Sequence, residues 1–301
     1  AQNLPQVWRC IMSALPTTGE LFATNQVSPE TERGYKYQLR NFAQWMSDSR
    51  DVHNMEDVTT ADLLAYRQSL LHLAGSSQKR YLAAIKSFFA WALEAEIIDK
   101  NPASLLKLPK SVSNKAPVFM TLDETRKLLN TAKLPRDVAL LWCLAYGLRI
   151  AEATALEIGD VAAPNGSGMG SLMVRGKGNK ARTLPINPQA YGAISSYIDG
   201  RTDGAVFHVL DGSRPIGRRA IQKRFKKLAR EAGIPAEKRH PHCMRHGFAT
   251  RMLFDTKTIG GIYTVSKLLG HSRVAVTEMY LHCSQKQLEQ AMLADPLGAG
   301  V

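Results

Sequence analysis

The chain has 301 residues, 45% of them hydrophobic, which is enough for one large globular domain or two ordinary ones. Lys and Arg outnumber Asp and Glu by 39 to 26, and a formal charge of +13 self-repels unless a polyanion is near, so nucleic acid is the first partner to consider. An acidic membrane surface fits less well, because no apolar run approaches ~18 residues and no basic amphipathic helix carries a bulky apolar face.

Residues 1–27 are polar, weakly periodic and broken by Pro5 and Pro16, and read as an N-terminal arm. Val7 to Met12 is too short, and is interrupted by Arg9, for a signal-peptide core, so the expected compartment is the cytoplasm. The four cysteines, Cys10, Cys143, Cys243 and Cys283, are scattered, form no disulfide framework and are expected to be reduced there.

A helix begins at Ser28-Pro29-Glu30-Thr31, a cap followed by Pro in the first turn, with Tyr35, Leu39, Phe42 and Met46 at helical spacing. A second starts at Thr59-Thr60 with Leu63, Tyr66 or Arg67, Leu70 and Leu71. The third, from Ser76-Ser77, turns Leu82, Ile85, Phe88, Phe89, Ala92 and Leu93 inward. Asn101-Pro102 opens a last short helix ending before Pro109. This gives a small all-α domain over residues 28–108. Its aromatic residues recur at the period of burial and read as core rather than base-stacking platforms. Lys79, Arg80 and Lys86 lie on the outer face, where solubility and phosphate contact are equally good explanations.

Residues 109–118, PKSVSNKAPV, have the composition of a tether and mark a domain boundary. Thr121-Leu-Asp-Glu124 is a capping box that opens the second domain, residues 119–301. Val138 to Tyr146 is almost wholly apolar and finishes at Gly147. Arg149 follows at once, costly to leave unpaired at the end of a buried helix, so it is either bonded to Glu152 or aimed at an anion. Two strands, Ser171–Val174 and Arg182–Ile186, flank a basic Gly-rich turn holding Lys177 and Lys180. Between Arg218 and Arg239 stand nine Lys or Arg against two Glu. This helix, which includes Arg219 and Lys223, sets Ile221, Phe225, Leu228 and Ala232 on one face and cations on the other; the one-sided charge favours a phosphate backbone.

The densest stretch runs from His240 to Cys283. Pro241 suits the first turn of a helix, which sets His242 and Arg245 on one face near its positive end, a place for an anion. Gly270 reads as a helix C-cap, which puts His271 just past a helix end. Tyr280 follows on a short apolar-patterned segment where nothing demands a phenol for packing. Singly, Arg149, Lys177, His242, Arg245, His271 and Tyr280 have ordinary explanations: a paired Arg, a loop Lys, a capping His, a surface Tyr.

In series they do not. Gly-Leu-Arg149-Ile-Ala-Glu152, the Gly-Lys177-Gly-Asn-Lys turn, His242-Cys-Met-Arg245-His-Gly-Phe-Ala-Thr250, Leu-Leu-Gly-His271 and Thr277-Glu-Met-Tyr280-Leu-His282 closely resemble the motif series of the tyrosine recombinases, or phage-type integrases. The resemblance covers residues 119 to 283, and the helical region before it looks like that family's core-binding domain. It implies a mainly α, α+β fold in which a helical domain and a mixed catalytic domain form a C-shaped clamp on duplex DNA. It implies site-specific cutting and rejoining of that DNA through a 3′-phosphotyrosine, for integration, excision or resolution, without ATP, cofactor or metal.

By that resemblance Arg149 and Arg245 clamp the phosphate, planar guanidinium groups being suited to its non-bridging oxygens. Tyr280 is the nucleophile, Lys177 protonates the leaving 5′-oxygen, His242 assists at the phenol and His271 hydrogen-bonds the phosphate. Strand exchange between two sites implies a homotetramer assembled on DNA, with Gln285 to Met292 docking on a neighbour, and leaves room for accessory DNA-bending proteins. Ala151, Met244 and Gly247 depart from the usual residues, each beside a motif position, and the loop Pro164 to Gly170 looks like an insertion. Two rival readings remain. His240, His242, Cys243, His246, His271, His282 and Cys283 make a dense set of metal ligands, yet the Glu of a hydrolytic zinc site is missing and the two arginines repel a cation. A non-catalytic DNA-binding protein fits the charge equally but leaves Tyr280 and His271 without a purpose.

Overall fold

The structure is a computed structural model that describes residues 29–52, 57–109, 118–176, 180–255 and 261–270. The chain divides into two compact units that part at residues 114 and 115.

The first unit is helical. α1 (Pro29–Arg50), α2 (Thr60–Ser69) and α3 (Gly75–Glu94) bury Phe42 and Met46, Leu63 and Tyr66, and Leu82, Ile85 and Phe89 against one another. Each such side chain contributes about 1.5–3 kcal/mol by leaving water. Phe42 sets its ring edge-on to Tyr66 and Phe89, with centroids 5.0 and 6.3 Å away. α2 starts where Thr59 and Asp62 satisfy each other's backbone N–H groups. The short helix expected after Asn101 is instead a turn: Asn101 Oδ1 accepts from the Ala103 N–H at 2.8 Å, a side-chain bond that closes a turn in place of a helical one, and Leu106 is buried beyond it.

The second unit is mixed. α4 (Leu122–Thr131) opens on the Thr121–Glu124 capping box, whose carboxylate also accepts from Lys238 Nζ at 2.7 Å. α5 (Pro135–Ala145) is the apolar helix. It begins three residues before the apolar run, because Pro135 supplies its first turn and Asp137, wholly buried, is met by Arg136 at 2.9 Å and Arg224 at 2.6 Å. α6 (Ile150–Thr154) follows. A three-stranded antiparallel sheet has the order β1 (Val161–Ala162), β2 (Gly170–Arg175), β3 (Ala181–Ile186). Residues 163–169 are the turn between β1 and β2, so the apparent insertion is a hairpin whose first strand is only two residues long. β3 is an edge strand and tolerates Pro185.

α7 (Pro188–Ile198) packs along α5 and starts at the N-cap Asn187, whose Oδ1 accepts from Ala190 N–H at 2.9 Å. α8 (Arg218–Glu231) buries Ile221, Phe225 and Leu228, with Ala232 as its C-cap. α9 (Pro241–Thr250) runs into a π-helical turn, Arg251–Asp255, and α10 (Gly261–Leu269) closes the described chain. No helix among the described residues is long and apolar enough to cross a membrane.

Candidate active site

Arg149 is delivered by the way α5 ends. Gly147 takes φ +83, its N–H donates to Leu144 O at 3.0 Å, and the next N–H, of buried Leu148, donates to Cys143 O at 3.2 Å, the two bonds of a Schellman stop. Gly147 also has no room for a side chain, since a Cβ would lie 2.9 Å from the Phe248 ring and 3.0 Å from Leu269. The chain therefore turns sharply against α9 and α10, and Arg149 is the residue it presents next.

Arg149 caps α6. Its backbone N–H donates to Glu152 Oε2 at 2.8 Å, and its Nη1 to Glu152 Oε1 at 2.7 Å and Leu269 O at 3.4 Å. Arg149 is paired with Glu152, as the first of the two expectations has it, and its side chain keeps 36% of its surface exposed. Arg245, one turn into α9 behind the N-cap His240 and Pro241, is buried. Its Nη1 donates to Gly147 O and its Nη2 to Leu269 O at 2.6 Å, and Nη1 lies 3.8 Å from Glu152 Oε2. Two guanidinium groups from distant parts of the chain thus meet on one carbonyl, Leu269 O, beside one carboxylate.

That carbonyl is near the end of α10. Gly270, at φ +65, stops the helix and leaves its last carbonyls pointing outward, where the partial negative charge of a helix C-terminus draws cations. Arg182 of β3 takes the neighbouring carbonyl, Leu268 O, through Nε at 2.8 Å, and grips Glu152 with both terminal nitrogens at 3.0 Å each. Burial acts to raise the Glu152 carboxyl, but the hydrogen bonds from Arg182 and from the Arg149 backbone, with the charge of Arg182, outweigh it and hold the group below the usual carboxylate range.

His242 lies on the exposed side of α9. Desolvation around its ring, then the charges of His240, Arg245 and Arg149, hold its pKa below the ordinary value, so it is a neutral imidazole at pH 7, able to accept a proton. His246, a ring-centroid distance of 6.5 Å away, is pushed down to about 4, chiefly by burial. Among the described residues no three His, Cys, Asp or Glu side chains come together to hold a metal ion.

The structure therefore brings Arg149, His242 and Arg245 into one site. Lys177, His271, Tyr280, the arm 1–27 and the segment 285–292 lie outside the described residues. The residue before Lys177 is described: a Cβ on Gly176 would lie 4.0 Å from Glu152 Oε1, so the stem of this hairpin reaches the arginine cluster. Of the DNA-contact candidates, Lys79, Arg80, Arg219 and Lys223 are exposed. Lys86 differs, because its Nζ donates to Leu106 O at 3.0 Å, a backbone bond that competes with any phosphate contact.

Two members of the cluster escape a motif-by-motif reading. Glu152 is visible in the sequence only as a partner for Arg149. Arg182 carries one local signal: in Arg182-Thr-Leu184-Pro-Ile186 it shares the buried side of β3 with Leu184 and Ile186, which is a costly place for a cation without a partner.

Residues 118–287 match the model of the phage integrase family, and residues 18–96 that of the phage integrase N-terminal SAM-like domain. Tyrosine recombinase XerC of Pelobacter propionicus is 35% identical over 277 residues, 87% of this chain and 87% of its own. Tyrosine recombinase XerD of Proteus mirabilis is 30% identical over 87% of this chain and 86% of its own. Among solved structures, the XerH site-specific recombinase bound to its difH substrate superposes with a TM-score of 0.69 at 22% identity, covering 87% of this chain and 78% of that one. A lambda integrase dimer bound to a core site gives 0.68 at 15%, covering 88% and 96%. At these identities the structural likeness speaks for the fold.

Proposed function

The chain belongs to the phage integrase family and is a site-specific DNA recombinase of the tyrosine type, and we propose that Arg149 and Arg245 hold the reacting phosphate while Tyr280 attacks it. The observation that supports this reading most is the meeting of the two guanidinium groups on Leu269 O, with Arg149 open to solvent and neutral His242 on the same helix as Arg245.

In-line attack by the Tyr280 phenolate forms a P–O bond to the tyrosine and breaks the bond to the 5′-oxygen, which leaves as a hydroxyl after taking a proton from Lys177. His242 receives or relays the phenol proton, and His271 donates to a non-bridging oxygen. The arginines stabilise the charge that gathers on those oxygens, a contribution of about 3–4 kcal/mol per well-placed donor in comparable sites. The phosphotyrosine ester conserves the bond energy, so the 5′-hydroxyl of another strand reverses the step without ATP.

The partner is duplex DNA, with Lys79, Arg80, Arg219 and Lys223 on its backbone. We place the reaction in the cytoplasm and in a homotetramer spanning two sites, with residues 285–292 docking on a neighbouring protomer and DNA-bending proteins as accessories. A suicide substrate nicked beside the scissile phosphate tests the chemistry, because loss of the short fragment prevents religation. Wild type accumulates a covalent adduct that migrates slowly on a denaturing gel, and Tyr280→Phe forms none. Equal trapping by the two proteins overturns the assignment.

A further inference from the structure

Arg182 belongs to no recognition motif named above, yet it is the residue through which several of them are joined. Its side chain is only 13% exposed, so it is not placed to meet substrate directly. All three directions of its guanidinium are engaged: Nε on Leu268 O at 2.8 Å, Nη1 on Glu152 Oε1 and Nη2 on Glu152 Oε2, both at 3.0 Å. The group also lies close against Gly270, where a Cβ would come within 2.7 Å of Nη1 and 3.0 Å of Cζ. One residue thus braces the carboxylate that orients Arg149 and the backbone that leads directly into His271. It stands on β3, paired through Val174 to the strand that carries the other side of the Lys177 turn.

We propose that Arg182 is a positioning residue of the recombinase active site, holding Glu152 and the end of α10 so that Arg149 and Arg245 keep a common geometry. The inference rests on the assignment of this site as the phosphate clamp. Charge supports it as well as shape. Three guanidinium groups around one carboxylate leave a net +2, which matches the two negative charges of a pentacovalent phosphorus; without Arg182 only +1 remains. Lysine is no substitute, because a point charge on a flexible stem cannot make a parallel pair of bonds to Glu152 and a third to Leu268 O. The groups facing Glu152 are Arg149 at the N-cap of its own helix, Arg182 of β3 and Arg245 of α9, with His242 near Arg149 and Arg245, the two arginines of the clamp. Removing Arg182 takes away the main partner that keeps Glu152 ionised, so protonation of Glu152 then occurs at higher pH.

The experiment uses the full chain and the suicide substrate under single-turnover conditions, across pH, on wild type, Arg182→Lys, Arg182→Ala and the double variant Arg182→Lys/Glu152→Gln. The cleavage rate of Arg182→Lys falls about 100-fold, the size expected when catalytic groups are displaced by about 1 Å, while its affinity for the site DNA stays within about threefold. Its rate also acquires an acid limb at higher pH than wild type, and adding Glu152→Gln abolishes that limb. A wild-type rate for Arg182→Lys overturns the proposal. So does a loss of rate in Arg182→Lys and Arg182→Ala that merely follows their loss of folded protein on thermal melting, with the acid limb unmoved. If wild type forms no adduct, it is the clamp assignment itself that fails, and the two failures are told apart by that first lane.

Discussion

Replacing Glu152 with Ala removes the one acid at the centre of three arginines. The carboxylate is 4% exposed and holds Arg149 Nη1 at 2.7 Å and Arg182 at 3.0 Å twice, with Arg245 at 3.8 Å. Breaking a buried pair by deleting one partner costs about 3–5 kcal/mol, because the remaining charges stay out of water without compensation. Arg149 is partly solvated and recovers some of this, whereas Arg182 and Arg245 do not. At about 2–4 °C per kcal/mol for a unit of this size, the melting temperature falls by about 6–20 °C. Glu152→Gln keeps the volume but sets an amide NH2 against guanidinium donors, for a cost of about 1–3 kcal/mol.

The pH dependence gives an independent check. The folded pKa of Glu152 is depressed, so its stabilisation is fully present above the unfolded value, 4.5, and is lost as pH falls through the lower folded value. Wild type and Glu152→Gln therefore differ in melting temperature at neutral pH and converge in acid. Thermal melting followed by near-ultraviolet circular dichroism, at pH 7 and stepwise down to about pH 3, reads both effects. A melting temperature for Glu152→Ala equal to wild type, or a gap between wild type and Glu152→Gln that does not close in acid, overturns the role given to the Glu152 carboxylate.

Gly247→Ser destabilises the second unit: a Cβ at 247 would lie 2.3 Å from Met120 O, and the Met120 N–H bonds to Cys243 O at 3.0 Å. A loss of about 1–3 kcal/mol in urea unfolding is expected. Arg219→Ala and Lys223→Ala each lower the slope of log affinity against log salt by about 1, as the loss of one phosphate contact requires, when binding to a duplex is titrated by fluorescence anisotropy. Lys86→Ala leaves that slope unchanged and lowers the melting temperature of the first unit instead, because its ammonium holds the Leu106 carbonyl.

Much of this arrangement is legible in the chain because its signals are local. Helical periodicity marks α1 to α3, the Thr121–Glu124 box marks α4, and Gly147 marks the stop that presents Arg149. Pro241 marks the start of α9 and Gly270 the end of α10. What eludes such a reading is set by partners far along the chain. β1 is two residues long and exists only through pairing with β2. α7 is announced by no more than Asn187-Pro188, an N-cap followed by Pro, ahead of a weakly patterned segment. The role of Arg182 depends on Glu152, thirty residues earlier, and on Leu268, eighty-six later; no periodicity encodes either contact. The turn after Asn101 goes the other way, since a Pro at a first helical position was outweighed by the side-chain bond of the Asn before it.

The most direct measurement is the identity of the amino acid that becomes attached to DNA. Wild-type protein trapped on the suicide substrate is digested with trypsin and nuclease, and the modified peptide is sequenced by tandem mass spectrometry. A nucleoside 3′-phosphate ester is expected on Tyr280 and on no other residue. Attachment through a different tyrosine, or through a serine, with Tyr280 recovered unmodified, contradicts the assignment of Tyr280 as nucleophile.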